Sequence, residues 1–445
     1  MKLWQKETAI NDRIEAFTVG QDRDLDVWLA PFDVLGSLAH AQMLESIGLL
    51  ESTELQSLRA ELIKLYHKAE KRELIIEEGV EDIHSQVELM LTQALGDVGK
   101  KIHSGRSRND QVLVDTKMYL RWEIKEMLGL VSKLFHTLQG LSEAHKDKLM
   151  PGYTHLQVAM PSSFGLWFGA YAESLSDDVN FLKAAFDVVN QNPLGSAAGY
   201  GSSFPLDRQM TSDLLGFASP NYNSVYAQMT RGKSEKAMAT GMSFLAGTMG
   251  KIAMDICLYM GQNYGFLTFP DELTTGSSIM PHKKNPDVFE LVRARCNELQ
   301  ALPNTLTLTI NNLPSGYHRD LQLLKEELVP AIQNMKSCLE ISEFMLQNII
   351  IKDSITDADT YDYLFTVEEV NKLVLEGVPF RDAYKQVGAR VESGEYHADR
   401  EVNHSHLGSI GNLGNELIAE RFQMRVEGFG FGEINKALMH LVDNG

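Results

Sequence analysis

Apolar positions recur through the middle of the chain in alternating steps of four and three, the spacing that keeps one face of an α-helix turned toward a core. Leu120, Ile124, Met127, Val131, Leu134, Leu138 and Leu141 form one such series. Met238, Met242, Leu245, Met249, Ile252, Ile256 and Tyr259 form a second. A third runs Leu321, Leu324, Leu328, Ala331, Met335, Cys338, Ser342, Met345 and Ile349, and Pro330 within it predicts a kink. Phe164, Phe168, Tyr171, Leu175, Val179, Leu182, Phe186 and Val189 follow the same rhythm with one extra step of four. The stretch from Asp287 to Leu302 predicts a fifth helix, bent or ended by Pro303. A thirty-residue helix is about 45 Å long, too long for a compact single layer to cover, so these seams pack most economically against one another.

The predicted fold is all-α: a long central bundle over 106–350, tied to two smaller, mainly helical end domains. Patterns before about residue 105 are shorter, which gives an N-terminal domain over 1–105. After Ile351 the chain turns mixed and polar, and Gly408, Gly411 and Gly414 break any long periodicity, which gives a C-terminal domain over 351–445. The methionines of the second seam read as core filling.

Composition narrows the function classes. The 445 residues carry 41 Lys+Arg against 60 Asp+Glu, a formal charge of −19, which repels nucleic acid and anionic lipid over most of the surface. Cys257, Cys296 and Cys338 form no CxxC pair, so neither a disulfide framework nor a zinc knuckle is offered, and a reducing cytoplasm is expected. Met1 to Ile10 alternates charged and apolar residues without an apolar h-region, so no signal peptide is expected. The uncharged stretch Leu149 to Ala172 carries Pro151, Pro161, Thr154, His155 and Gln157, which excludes it as a membrane span.

Candidate chemistry lies in polar, Gly-rich insertions predicted as loops: Lys101–Gln111, Pro151–Pro161, Pro193–Arg208 and Thr274–Pro286. In Gly276–Pro286 (GSSIMPHKKNP), small residues offer N–H donors, Lys283 and Lys284 supply charge, and two prolines limit the hinge. The loop reads as closing over an anion or as a basic surface turn. His103–Gln111 (HSGRSRNDQ) puts Arg106, Arg108 and Asn109 ahead of the first long helix, suited to a carboxylate ligand or to a capped helix start with Asp110 in its first turn. Met150–Gln157 (MPGYTHLQ) offers the His155 imidazole. Gln322 and Lys325, three apart at a helix start, share a face. Gly232-Lys233-Ser234 lacks the first glycine of a phosphate loop, no HExxH zinc pattern occurs, and Gly199-Tyr200-Gly201 lacks the rest of a dinucleotide fingerprint.

Taken together, GSSIMPHKKNP resembles the signature of the aspartase/fumarase superfamily. HSGRSRNDQ, MPGYTHLQ, NPLGSAAGYGSSFPLDR (192–208) and GVPFRDAYKQVG (377–388) further resemble the argininosuccinate lyase family, in order and over most of the chain. The resemblance implies a helical homotetramer that splits argininosuccinate into L-arginine and fumarate, the last step of arginine biosynthesis, with no metal or organic cofactor. It implies Ser277 as a catalytic serine supported by Lys283, His155 as a catalytic histidine, and Glu290 as the carboxylate that raises its basicity. Substrate contacts carry over onto Ser107, Arg108, Asn109, Thr154, Arg231, Ser278, Asn285, Tyr317, Gln322 and Lys325. The Asn109, His155 and Ser277 segments are implied to meet from three subunits, so that no monomer holds a whole site.

This sequence departs from the family pattern in places. Met229-Thr230-Arg231-Gly232 keeps only the arginine of a usual Ser-Asp-Arg-Asp run, and Asp22 stands where a substrate-binding serine is common. Val158-Ala159-Met160 replaces the usual Arg-Ala-Gln, and Val402 to Gly414 follows no typical ending. The rivals are a sister lyase acting on adenylosuccinate, aspartate or malate, and a non-catalytic crystallin-like tetramer. With Arg106, Arg108, Lys283, Lys284 and Lys325 in the implicated segments, the site is expected to be a cationic pocket within an acidic surface.

Overall fold

The structure is a computed structural model that describes residues 11–443; the alternating segment Met1–Ile10 lies outside the described residues. The chain begins with α1 (Asp12–Val19), α2 (Asp22–Asp26), α3 (Ala30–Ser46), α4 (Ser52–Glu70), α5 (Ile83–Leu95) and α6 (Asp97–Lys100). Helices α3 to α5 bury Val34, Leu38, Leu58, Leu62, Ile83 and Leu91 in a core of their own. That core is closed by Val114 and Met118 from the next helix and by Leu441 from the far end of the chain.

The long helices follow the apolar seams. Helix α7 (Arg108–Ala144) has 37 residues, about 55 Å at 1.5 Å per residue. A hairpin of β1 (Leu149–Thr154) and β2 (Gln157–Ser163) leads to α8 (Phe164–Val189). The connection to the next long helix holds β3 (Gln191–Asn192), α9 (Arg208–Leu214), β4 (Ser219–Pro220) and α10 (Ser224–Met229), with β3 and β4 paired in parallel. Then come α11 (Lys233–Met260), β5 (Leu267–Thr268), α12 (Asp287–Ile310) and α13 (Leu324–Gln347), and β6 (Ile350–Ile351) returns to pair antiparallel with β5.

Helices α7, α8, α11, α12 and α13 pack on one another as a five-helix bundle. The predicted seam residues form its interior, with Leu120, Val131, Val179, Leu245, Met335 and Cys338 all buried. Both prolines lie inside continuous helices, Pro303 in α12 and Pro330 in α13. The bundle packing holds the turns on either side of each proline, so Pro303 does not end its helix.

Residues 351–443 include α14 (Thr366–Leu375), α15 (Phe380–Ser393), α16 (Asn415–Glu427) and α17 (Phe431–Asp443). Val370, Ala383, Val387 and Tyr396 make a small separate core from α14, α15 and the segment after them. Helix α16 instead lies on α7 and α8, with Ile418 and Phe422 in the bundle core, and α17 lies on α3 and α9. The fold is mainly helical, and its three two-stranded pairs are short. Among the described residues no helix is long and apolar enough to cross a membrane.

Two expectations about loops change. Pro151–Pro161 is a β-hairpin rather than a loop, with Tyr153 opposite Val158 and Thr154 opposite Gln157. Its two-residue turn is His155-Leu156, without the Asn or Gly that usually announces such a turn. The segment Lys101–Gln111 runs into α7 at Arg108, where Ser107 caps the helix and Asp110 completes a capping box.

Candidate active site

The implicated residues fall into three groups on different elements. The first surrounds a cavity of about 270 Å³ at the start of α7, lined by Asp22, Asp26, Glu81, Asp82, His84, Arg108, Asn109, Val112, Arg231, Tyr317, Arg319, Gln322 and Lys325. Six of the expected substrate contacts meet here from α7, the turn after α10, and the region joining α12 to α13. Gln322 and Lys325, expected on one helix face, are both buried.

The electrostatics differ from the expected cationic pocket. Four carboxylates face four Arg and Lys side chains, and most are paired across the wall. Arg108 is held by Glu81 at 2.8 Å and Asp82 at 3.3 Å, and its Nη2 donates to Ser85 Oγ at 2.7 Å. Burial works against its charge, but Asp82 and Glu81 outweigh that and raise its pKa. Arg319 also reaches Glu81, at 3.4 Å. Arg231 Nε lies 2.8 Å from Glu235, and Nη2 donates to Leu321 O at 3.2 Å. Lys325 meets Asp22 at 2.8 Å and Asp26 in a closer contact. Its burial is outweighed by Asp26 and Asp22, so its pKa rises. Gln322 donates to Thr18 O and Val19 O at the end of α1. Asn109 sits in the first turn of the 37-residue α7, where the N-terminal end favours anions. The Ser107 hydroxyl is taken up by the cap, accepting from Asn109 N. Arg106 turns away, donating to Ser37 Oγ at 2.8 Å.

Behind this wall lies a buried cluster that spacing did not announce. His84 Nδ1 is 2.7 Å from Asp33 and 3.3 Å from Asp115, and all three side chains are buried. Burial alone would lower the imidazole pKa, yet Asp33, Asp115 and Asp82 push it up to about 10. The three ligand atoms lie within 4.8 Å of one another, a spacing open to a metal ion, and the protonated ring supplies the cation itself.

The second group is the loop between β5 and α12. Its ends are pinned where Asn285 N donates to Thr275 O at 2.8 Å, and between them Ser278 to Lys284 are exposed. Ser277 Oγ accepts the backbone N–H of Ile279 at 3.3 Å and of Met280 at 3.2 Å. Asn285 Nδ2 donates to Gly276 O at 3.4 Å. Lys283, Asn285 and Glu290 line a cavity of about 630 Å³ beside the end of α11, with Glu290 in the first turn of α12.

The third group is the tip of the hairpin. Thr154 and His155 are exposed, and His155 (φ 54°) and Leu156 (φ 59°) both occupy left-handed backbone. A branched residue there is strained. His155 and Glu290 share no hydrogen bond or ion pair, neither cavity is lined by His155, and Ser277 lines neither. The single chain therefore keeps the three groups apart. The acidic members of the first cavity, Asp26, Glu81 and Asp82, and its Arg319 were missed in the sequence. The available signal was Asp82 as the N-cap of α5, two residues before His84.

With this geometry in hand, similarity to known proteins can be weighed. A family description, "Lyase", matches residues 5–300. An argininosuccinate lyase of Phocaeicola vulgatus is 60% identical over 436 residues, covering 98% of each chain. The chain belongs to the argininosuccinate lyases. The argininosuccinate lyase of Parabacteroides distasonis is 58% identical over 441 residues, covering 99% of each chain. Among solved structures, an EDDS lyase in complex with formate aligns at a TM-score of 0.74, covering 98% of this chain and 94% of that one. At 20% identity it supports the fold alone. The chain is a lyase with the mainly helical fold of this superfamily.

Proposed function

We propose that this lyase cleaves argininosuccinate to L-arginine and fumarate, and that the three groups are parts of one site completed between copies of the chain. The reaction must remove a proton from the carbon beside a succinyl carboxylate, hold the resulting aci-carboxylate, and protonate the departing guanidino nitrogen. Ser277 is the base. A serine hydroxyl is far too weak an acid to ionise unaided, and the observation that carries its role is that Ile279 N–H and Met280 N–H already point at Ser277 Oγ. They stabilise the alkoxide, and Lys283 adds a positive charge for it and for the developing dianion.

His155 donates the proton to the leaving nitrogen, oriented by Glu290 of another copy. Ser278, Asn285 and Thr154 hold the succinyl half. The cavity at the start of α7, with Asn109, Arg231, Tyr317, Gln322 and Lys325, takes the rest of the substrate, and Arg108 fixes its wall through Glu81 and Asp82. The chain's own residues supply every acid-base role, and no cofactor or metal is assigned.

A homotetramer in the cytoplasm is the natural form. Helices long enough to bury only one face leave Phe181, Phe244, Met254, Leu291, Leu308 and Phe344 exposed on the bundle, and an apolar surface of that kind is covered by partners. The three free thiols suit a reducing compartment. The test is fumarate release on adding argininosuccinate, and separately adenylosuccinate, aspartate and malate, to the purified protein. Fumarate from argininosuccinate is expected, and none from it overturns the reading.

A further inference from the structure

Across the wall of the α7 cavity, charges pair off with one carboxylate left over. Arg108 and Arg319 are taken by Glu81 and Asp82, and Arg231 by Glu235. Lys325 alone serves two acids, Asp22 and Asp26. Asp26 uses both oxygens in the fold, one on Lys325 and the other accepting Ile83 N–H at 3.4 Å. Asp22 Oδ1 lies 2.8 Å from Lys325, yet this buried oxygen makes no hydrogen bond among the described residues. Burial pushes the Asp22 carboxyl up to about 6, against the pull of Lys325, with Asp26 pushing further the same way and Arg231 opposing. Two carboxylates therefore share one cation at this point of the wall.

A complementary deficit lies beside it. Arg231 is 7% exposed, and its Nη1 has no hydrogen-bond partner among the described residues although it lines the same cavity. The guanidinium is close enough to act on the charge of Asp22. A carboxylate with a spare oxygen next to a guanidinium with spare N–H groups matches an ammonium and a carboxylate on one carbon, the head of an α-amino acid. A serine at residue 22 would offer a neutral hydroxyl, which donates or accepts equally well and does not require a cation.

We propose that Asp22 receives the α-ammonium group of the substrate's arginine half and thereby makes a free α-amino group a condition of binding. This specificity role rests on the reading of the chain as cleaving argininosuccinate in this cavity. The ammonium supplies the charge the wall lacks, and acylating it leaves Asp22 buried against a neutral amide with only the cation it shares with Asp26.

The experiment compares fumarate release from argininosuccinate and from its Nα-acetyl derivative by the wild-type protein and by Asp22→Ser and Asp22→Asn. The wild type is expected to favour the free amine in kcat/KM by about 10- to 100-fold, the value of one charge-assisted contact. Both variants should bring the ratio to within about threefold, mainly through a higher KM for argininosuccinate. A counter-ion serving only Lys325 would change both substrates alike, so an unchanged ratio in folded variants overturns the proposal. Equal wild-type rates on the two substrates overturn it without any variant. Calorimetric binding of L-arginine and Nα-acetylarginine to the wild type separates the two readings. Preference for L-arginine in a protein that releases no fumarate would keep the Asp22 role and sink the reaction, whereas equal binding would sink the Asp22 role alone.

Discussion

Strain and burial are concentrated in a few residues. His155 and Leu156 both hold left-handed backbone at the exposed hairpin tip, at a cost of order 1 kcal/mol or more each. Leu156 is 74% exposed and recovers little of this by packing within its own chain. Leu156→Gly should therefore raise the stability of the chain by about 1 kcal/mol in urea unfolding; no gain would mean that the turn is not strained. His84 gives a test by pH. Its folded pKa of about 10 lies above its unfolded value, so its stabilisation is complete below about 6.5 and is lost as pH rises through 10. Lys117, buried and pushed down to about 7, acts oppositely, its penalty fading as pH rises from 7 toward its unfolded value. The stability gap between wild type and His84→Gln should thus shrink from pH 7 to pH 10. A constant gap would show that the imidazolium is not the form the cluster holds.

At the scale of elements, Asp110 ties the start of α7 to a neighbouring segment. Asp110 Oδ1 accepts Ser107 N–H to complete the capping box, while Oδ2 accepts Gly195 N–H and Ala197 N–H at 2.9 Å each. One buried carboxylate thus ties the helix carrying Asn109 to the Pro193–Arg208 segment. Asp110→Ala should cost about 2 to 4 kcal/mol, since it removes half a capping box and leaves two buried N–H groups unpaired. It should also open the 197–208 region to limited proteolysis, and a variant with wild-type stability and resistance would refute the tie. The long helices were readable because burial of one face writes a 3.6-residue period into the sequence; the seam through Phe164 and Val189 even matches both ends of α8. The hairpin was not, because its turn uses His155 and Leu156 where turn chemistry favours Asn and Gly. The acidic half of the cavity wall was not either: Asp26, Glu81 and Arg319 are brought together only by tertiary packing, and no local period encodes that.

For the whole molecule, the separation of the three groups decides how activity is assembled. Ser277 and Glu290 lie at the β5–α12 junction, His155 at the hairpin tip, and Asn109 at the start of α7, with no hydrogen bond or ion pair joining one group to another. The hairpin and the loop that carries Ser277 both reach the end of α11, where the Tyr153 ring meets Tyr264, whereas Asn109 begins a helix about 55 Å long; copies packed through the exposed apolar faces of α8, α11, α12 and α13 are expected to bring the three groups together. Loss of one group in one copy then spoils only the sites that copy enters. Ser277→Ala and His155→Asn should each abolish fumarate release while leaving the oligomer intact by light scattering. Mixed under conditions of subunit exchange, the two inactive proteins form some sites that draw serine from one variant and histidine from the other, and for sites built from single copies drawn at random about a quarter would be whole. Recovery approaching that fraction of wild-type activity is the expected result. Verified exchange with no recovered activity would place Ser277 and His155 of each site on the same chain and refute the shared arrangement.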